Sequence, residues 1–225
     1  MSLFRAQSTA WSLTNQQRSS IHDFDNMVTV LVGKDGKRFT LHQDAVCAKS
    51  KFFRAACSKE WLEGQERVVR LPETEDTIFQ EYCTWIYSGE IADGTCTTSS
   101  TETQRMNEHD QLLCLYLLGD KLDDIQLRNQ AIIKLFKSMQ NGNLLLRKPA
   151  SKLVWESTVR GFPLRKLIVD VMVTRIDRSS FAASVSQYSP EFLQEIAVAA
   201  LQAAPLFSWE HMAQNLSSYE EREKS

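Results

Sequence analysis

The pattern of apolar and polar residues predicts a small sheet at the start of the ordered chain. The β-branched run 27–32 is followed by turn residues and by the alternating segment 37–41, which together predict a β-hairpin. Segment 67–71 alternates in the same way and predicts a third strand. Between them, apolar residues recur at helical spacing over 45–57, which predicts two short helices. Strands and helices in this irregular order are typical of α+β proteins.

The rest of the chain has helical patterns only. A helix is predicted from residue 74, with Thr74 as its N-cap and Gly89 as its C-terminal stop. Ser189 and Pro190 predict a sharp helix start, because serine suits the N-cap and proline the first helical position. Further helices are predicted at 109–118, 123–139, 151–159 and 164–172.

These patterns divide the chain into four parts. We expect a flexible polar arm at 1–25, a folded domain at 26–140, a helical extension at 141–218 and a disordered charged tail at 219–225. Within the domain, the Thr/Ser-rich segment 94–106 is too poor in apolar residues to pack, which predicts a mobile loop.

The composition narrows the possible partners and compartments. The 225 residues are 43% hydrophobic and 24% charged with a net charge of -2, which favours a soluble protein and no binding to nucleic acid or anionic membranes. The longest apolar run, 112–118, is far shorter than the roughly 20 residues that span a bilayer. Five scattered cysteines indicate a reducing, intracellular location, either cytoplasmic or nuclear.

No catalytic pattern emerges from the reactive residues. His42 with Cys47, and His109 with Cys114, are five residues apart, a spacing that does not place both groups on one helical face. The sequence contains no metal-binding motif, and the glycines of the hairpin turn lack the context of a phosphate-binding loop. We therefore expect no enzymatic activity, no cofactor, no metal and no small-molecule substrate.

Several segments, taken in order, resemble the BTB/POZ family. They are 28–32, 39–42, 46–53, Glu63, 68–71, Phe79 and 85–89. Segments 61–64, 71–72, 118–122 and 164–170 look most like the BTB proteins of filamentous fungi. The resemblance implies a small mixed sheet of about three strands covered by a helical bundle, followed by an all-helical extension. It also implies a protein-interaction module.

Most of the matched residues have a structural explanation. Six aromatic residues are expected to point into the core: Phe39, Phe52, Phe53, Phe79, Trp85 and Tyr87. His42 is expected to cap the next helix or to form a hydrogen bond with it.

One short motif points to a partner. In families of this kind, a hydrophobic residue, any residue and then glutamate help to dock the cullin scaffold of a ubiquitin ligase, and Trp61, Leu62 and Glu63 occupy that position. Trp61 would fill a partner pocket and Glu63 would orient the docking. The alternative is that Trp61 folds back onto its own domain.

Two other roles known in the family lose support. Met27 and Gln43 stand where co-repressor-binding relatives carry charged residues, and segment 13–21 is too polar for the helix of a swapped dimer. Two hypotheses remain: a ligase adaptor that binds a cullin through Trp61, Glu63 and the helix from Asp123, or a scaffold that pairs with another BTB chain. The extension would recruit a substrate or simply cover the domain's helices.

Overall fold

The computed structural model describes residues 26–58, 67–92, 108–141, 148–175, 181–183, 185–202 and 209–221. The predicted arm at 1–25 and the predicted loop at 94–106 lie outside these residues.

Three strands and a series of helices form the described chain. The strands are β1 Met27–Val32, β2 Lys37–His42 and β3 Val68–Leu71. The helices before the extension are α1 Gln43–Lys49, α2 Lys51–Ala56, α3 Asp76–Ser88, α4 Glu108–Lys121 and α5 Ile125–Asn141. The later helices are α6 Lys148–Ser157, α7 Pro163–Arg175, α8 Pro190–Gln202 and α9 Trp209–Gln214, with 3-10 turns at Val185–Gln187 and Leu216–Ser218.

The sheet is mixed, with β1 in the centre. β2 pairs antiparallel with β1 through the hairpin, and β3 pairs parallel with β1 on the other side. Every second residue of β1 is buried, namely Val28, Val30 and Val32, because alternate side chains of a strand face the same side. The expected α+β architecture with a three-stranded mixed sheet is confirmed.

Helix boundaries follow the local signals at Gly89 and Ser189 and depart from them at Thr74. Gly89 ends α3 in a left-handed conformation, with φ 72°, and Ser189 Oγ accepts a hydrogen bond from Phe192 N at 3.2 Å where α8 begins. The predicted N-cap Thr74 is wrong. Thr74 lies in the turn after β3, where its amide donates to Leu71 O at 3.2 Å. The N-cap is Glu75, one residue later, and α3 begins at Asp76.

Helix α4 continues through Gly119, where the sequence pattern suggests that it stops. A Cβ atom on Gly119 would lie 3.0 Å from Arg128 Cγ and 3.3 Å from Leu127 Cδ2. The glycine therefore allows α4 and α5 to approach closely, which outweighs its low helix propensity.

One hydrophobic cluster runs through the domain and the extension. Tyr116 on α4 and Phe162, just before α7, meet edge to face with ring centroids 6.2 Å apart. The extension therefore packs on α4 and adds to the core on that side.

Five of the six aromatic residues expected in the core are buried or partly buried, but Tyr87 is not. Its side chain is 54% exposed, because the buried positions of α3 lie on the opposite side of the helix. The Tyr87 hydroxyl lies 3.0 Å from His42 Nδ1 and accepts a hydrogen bond from His42 N at 3.2 Å. His42 is the N-cap of α1, but its side chain forms no capping hydrogen bond there.

The prediction that the chain is disordered from residue 219 is wrong for the first residues of this tail. Tyr219 is 2% exposed, and its hydroxyl donates to Asp170 Oδ2 at 2.9 Å. Glu221 N donates to Asn129 Oδ1 at 2.7 Å. The residues from Tyr219 to Glu221, here called the C-terminal clasp, thus join α7 of the extension to α5 of the domain.

No helix in the described part of the chain is both long and apolar enough to cross a membrane.

Candidate interaction surface

The predicted docking residues Trp61, Leu62 and Glu63 lie outside the described residues. The segment that carries them connects α2 to β3, and the structure describes both of these elements. The surroundings of the motif can therefore be built up from α2 and from what holds it.

The corner between α1 and α2 is attached to the turn between α4 and α5. Ser50, which is fully buried, accepts a hydrogen bond from Phe53 N at 3.0 Å and donates to Leu122 O at 2.5 Å. Lys51 N donates to Asp123 O and Phe52 N to Leu122 O, each at 3.3 Å. The first amides of α2, which have no acceptor within their own helix, thus donate to carbonyl groups just beyond the end of α4, a favourable arrangement of the two helix dipoles.

Asp124 fixes the start of α5 from inside the core. Its Oδ1 accepts a hydrogen bond from Leu127 N at 2.9 Å, as an N-cap does, and its Oδ2 accepts one from Trp85 Nε1, also at 2.9 Å. Burial raises the pKa of the Asp124 carboxyl, and these hydrogen bonds together with Lys49 partly oppose that rise. Lys49 Nζ lies 4.7 Å from the centre of the Trp85 ring.

We call the exposed residues of α2 and of the first turn of α5, which these contacts hold near each other, the α2–α5 surface. Arg54, Ala55 and Gln126 are exposed on it. Lys49 Nζ donates to Gln126 Oε1 at 3.0 Å and so links α1 to α5. A partner would meet a surface whose backbone is held in place by buried hydrogen bonds.

A groove lies at the boundary between the domain and the extension. Its volume is about 340 Å³. The apolar residues that line it include Ile78, Leu117, Leu118 and Leu153, and the charged residues around it are Glu73, Glu75, Asp120 and Lys121.

The charge of the groove is mainly negative. Asp120 is paired with Arg128, at 2.7 Å, whereas neither Glu73 nor Glu75 forms an ion pair with a described residue. Burial, with smaller contributions from Glu75 and Asp110, raises the pKa of the Cys114 thiol in the groove to about 12. The groove thus offers an apolar floor and an acidic edge, which suit an apolar side chain next to a cation.

The two described histidines that lie near cysteines in the sequence, His42 and His109, have partners other than cysteine. His42 contacts Tyr87, as described above, and His109 Nε2 lies 3.1 Å from Ser138 Oγ. Within the described ranges, no group of three or more His, Cys, Asp or Glu residues is placed to hold a metal ion.

Comparison with protein families adds the decisive observation. The family model of the BTB/POZ domain matches residues 14–123. The chain contains a BTB/POZ domain. The match covers the sheet, α1 to α4 and the turn that leads into α5, so the α2–α5 surface belongs to the BTB/POZ domain or borders on it. No curated protein matches the chain.

BTB/POZ domains bind other proteins, which makes this chain a protein-interaction module. Sequence reasoning identified the helix near Asp123 but missed Asp124 as the residue that holds it. The available signal was an aspartate directly before an apolar periodic run, which is typical of an N-cap. The acidic groove has no comparable sequence signal, because the turn after β3, α3, α4 and α6 contribute to it from distant parts of the chain.

Proposed function

We propose that the protein is a substrate adaptor of a cullin-type ubiquitin ligase, with the cullin docking on Trp61, Leu62, Glu63 and the α2–α5 surface. The observation that carries this proposal is the attachment of α2 to the α4–α5 turn through Ser50, Lys51 and Phe52. The motif follows α2, whose six residues span about 9 Å. The described chain that leads toward the motif, up to Ser58, is therefore anchored through α2 to the turn before α5.

A pull-down with a purified cullin scaffold tests the docking. In reducing buffer the wild-type chain should bind, and the double variant Trp61→Ala with Glu63→Ala should lose most of the binding, because it removes the apolar anchor and the orienting carboxylate. The matched control is Leu201→Ala with Glu210→Ala, which removes an exposed apolar side chain and an exposed carboxylate from the extension. Circular dichroism establishes that each variant folds. A wild-type chain that binds no cullin would overturn the proposal.

The substrate of such an adaptor would bind in the acidic groove between the domain and the extension. We propose a segment that places an apolar side chain beside lysine or arginine, since Glu73 and Glu75 have no ion-pair partner among the described residues. A short peptide of leucine and lysine is the probe, and one of leucine and glutamate is its control. Binding of the first peptide should weaken in the variant Glu73→Lys with Glu75→Lys, whereas equal binding of both peptides would contradict the proposal.

The alternative function is that of a scaffold that assembles with another BTB chain. β2 and β3 are the outer strands of the described sheet, and an outer strand can pair with a strand of a second chain. Light scattering over a range of concentrations distinguishes this function. A mass that stays at that of one chain at every concentration would exclude self-assembly.

The cellular location of the protein is also a proposal. An intracellular site of action, cytoplasmic or nuclear, agrees with the free thiols of Cys47, Cys57, Cys83 and Cys114. The likeness of segments 61–64 and 164–170 to the BTB proteins of filamentous fungi remains a prediction.

A further inference from the structure

The C-terminal clasp is held in the way that a receptor holds a short peptide. Asn129 on α5 contacts its backbone: Asn129 Nδ2 donates to Glu221 O at 3.1 Å, and Glu221 N donates to Asn129 Oδ1 at 2.7 Å. A side-chain amide that pairs with both backbone groups of one residue positions the segment without selecting its side chains. The selectivity of the site therefore comes from the side chains of Tyr219 and Glu221.

Tyr219 occupies the first side-chain position. Its hydroxyl donates to Asp170 Oδ2 at 2.9 Å, and Lys166 Nζ lies 4.4 Å from the centre of its ring. Phenylalanine here would remove a donor from the buried Asp170 carboxylate, and an aliphatic residue would also lose the cation–π contact with Lys166. This position therefore favours tyrosine.

Glu221 occupies the second side-chain position, two residues further along. Arg128 Nη1 lies 2.5 Å from Glu221 Oε2, and Tyr116 Oη donates to Glu221 Oε1. The side chains of Arg128 and Glu221 are 9% and 13% exposed, so the pair forms largely away from water. A neutral side chain would not pair with Arg128, so this position favours a carboxylate. The sequence that fits both positions is Tyr-Xaa-Glu.

The residues around the clasp are also held by contacts that do not involve it. We call these residues the clasp site, namely Tyr116, Arg128, Asn129, Lys166 and Asp170. Arg128 Nη1 pairs with Asp120 Oδ1 at 2.7 Å, and Lys166 Nζ donates to Asp170 Oδ2 at 2.9 Å. The helices α4, α5 and α7 that carry the site share one hydrophobic core. A site that is already ordered loses little entropy when a peptide binds.

The clasp has features of an exchangeable occupant. It consists of three residues near the end of the chain. Burial raises the pKa of the Glu221 carboxyl although Tyr116 and Arg128 oppose this rise, so the contacts do not fully offset the burial of its charge. Covalent attachment favours the clasp, because it gives the tail an effective concentration on the order of 1 mM. A segment with the same motif and further contacts of its own can therefore replace it.

We propose that the clasp site binds Tyr-Xaa-Glu segments of partner proteins, and that the chain's own tail is its exchangeable occupant. A partner is favoured over a second copy of the chain, because a second copy would have to vacate its own site to donate its tail and would gain no new contact. The proposal depends only on the contacts of the clasp, so it is independent of cullin docking and of the acidic groove.

Fluorescence anisotropy with full-length chains tests the exchange. The probe is a fluorescein-labelled peptide with the sequence of residues 217–223. The variant Tyr219→Ala with Glu221→Ala, whose tail lacks both side-chain anchors, should bind the probe at least about tenfold more tightly than the wild type, because its tail no longer competes. The control peptide has the same residues in an order in which no glutamate stands two residues after tyrosine, and it should bind at least about tenfold more weakly than the probe.

A second variant releases the tail by another route. Glu221→Lys places a cation beside Arg128 and should also raise the affinity for the probe, because like charges repel. Circular dichroism establishes which variants fold, and Glu221→Lys decides the test if the double variant does not. Equal affinities of the wild type and of a folded variant would overturn the proposal.

Asn129→Ala tests where the peptide binds. Introduced into the double variant, it should weaken probe binding at least about tenfold, because both backbone hydrogen bonds are lost. The matched control is Gln130→Ala, which removes an exposed amide side chain from the adjacent position of α5 and should leave binding unchanged. Unchanged binding in Asn129→Ala would mean that the peptide binds elsewhere, which contradicts the proposal.

Two results with the wild-type chain would overturn the proposal without any variant. One is the absence of probe binding at a chain concentration of about 1 mM, which would mean that the tail does not exchange. The other is a dimer in light scattering that the unlabelled probe peptide converts to monomers, which would assign the site to the tail of a second copy.

Discussion

Among the described residues, the domain and the extension each contain one fully buried charged side chain, and the two charges are opposite. Asp124 in the domain is 0% exposed and Arg165 on α7 is 1% exposed. Asp124 lies at the N-terminus of α5, and Arg165 donates to Trp155 O, at 2.7 Å, and to Thr158 O at the C-terminal end of α6. Each charge thus faces the helix end whose dipole it complements.

The two sites differ in how the charge is balanced. Asp124 accepts hydrogen bonds from Trp85 and from a backbone amide, and Lys49, a cation that lowers its pKa, lies 4.7 Å from the centre of the Trp85 ring. Arg165 is enclosed by carboxylates, with Glu191 at 2.7 Å and Glu195 at 3.0 Å. Asp124 is therefore balanced by hydrogen bonds within a largely apolar core, whereas Arg165 is balanced by an ion network. Loss of the central charge should therefore be more damaging in the extension.

The largest effect is expected for Arg165→Ala. The substitution leaves Glu195 and the carbonyls of Trp155 and Thr158 buried without their donor, which should cost about 3 to 5 kcal/mol of unfolding free energy. Urea unfolding measures the change. Arg160→Ala, in the exposed turn before α7, is the control and should change stability by less than about 0.5 kcal/mol. Similar effects of the two variants would refute the view that the ion network around Arg165 stabilises the extension.

A smaller loss is expected for Asp124→Ala. It removes the N-cap of α5 and the partner of Trp85 Nε1, which should together cost about 2 to 3 kcal/mol. Asp124→Asn should recover part of this loss, because its carbonyl oxygen can still cap the helix while its amide group cannot accept from Trp85. The control is Asp123→Ala, which removes a half-exposed carboxylate 3.8 Å from Arg128. A loss as large as that of Arg165→Ala would erase the contrast between the two regions.

The C-terminal clasp links the two regions, and Tyr219→Phe measures that link. The variant removes the hydrogen bond to Asp170 but keeps the buried ring, which should cost about 1 kcal/mol. Tyr87→Phe makes the same chemical change at a site that is 54% exposed, so its cost should be smaller. If the two variants have equal effects, the clasp contributes nothing beyond a surface hydrogen bond.

The smallest effect is a change in the pH dependence of stability. Burial raises the pKa of Glu221 above its ordinary value of 4.5, although Arg128 Nη1 lies 2.5 Å from it. The native state then binds the proton more tightly than the unfolded chain, so stability falls as the pH rises from the ordinary pKa through the raised one. Glu221→Gln should make this fall shallower. The part of the fall in stability that remains should come from Asp124, whose pKa is also raised.

Urea unfolding at a series of pH values between about 4 and 7 checks this sign. An unchanged slope in Glu221→Gln would show that the carboxyl is not desolvated in solution.

Local signals in the sequence determined much of the fold. Alternation in β1 and the turn residues after it were sufficient to predict the hairpin. Gly89 correctly predicted the end of one helix, and Ser189 the start of another. These features depend on neighbours within a few residues, which is why a pattern in the chain can reveal them.

Tertiary structure decided the features that join distant residues. The sequence predicted Thr74 as an N-cap, but in the structure Thr74 belongs to the turn after β3. It also predicted Tyr87 as a core residue, but the packing of α3 places Tyr87 beside His42 at the surface. The charged end of the chain looked disordered, yet Tyr219 and Glu221 are held by Asp170 and Asn129. The sequence by itself determined the strands, the helices and the BTB/POZ resemblance, because these depend on short-range periodicity and order. Only the folded chain determined which polar groups find partners in the core, because desolvation and hydrogen bonding act between residues that are far apart in sequence.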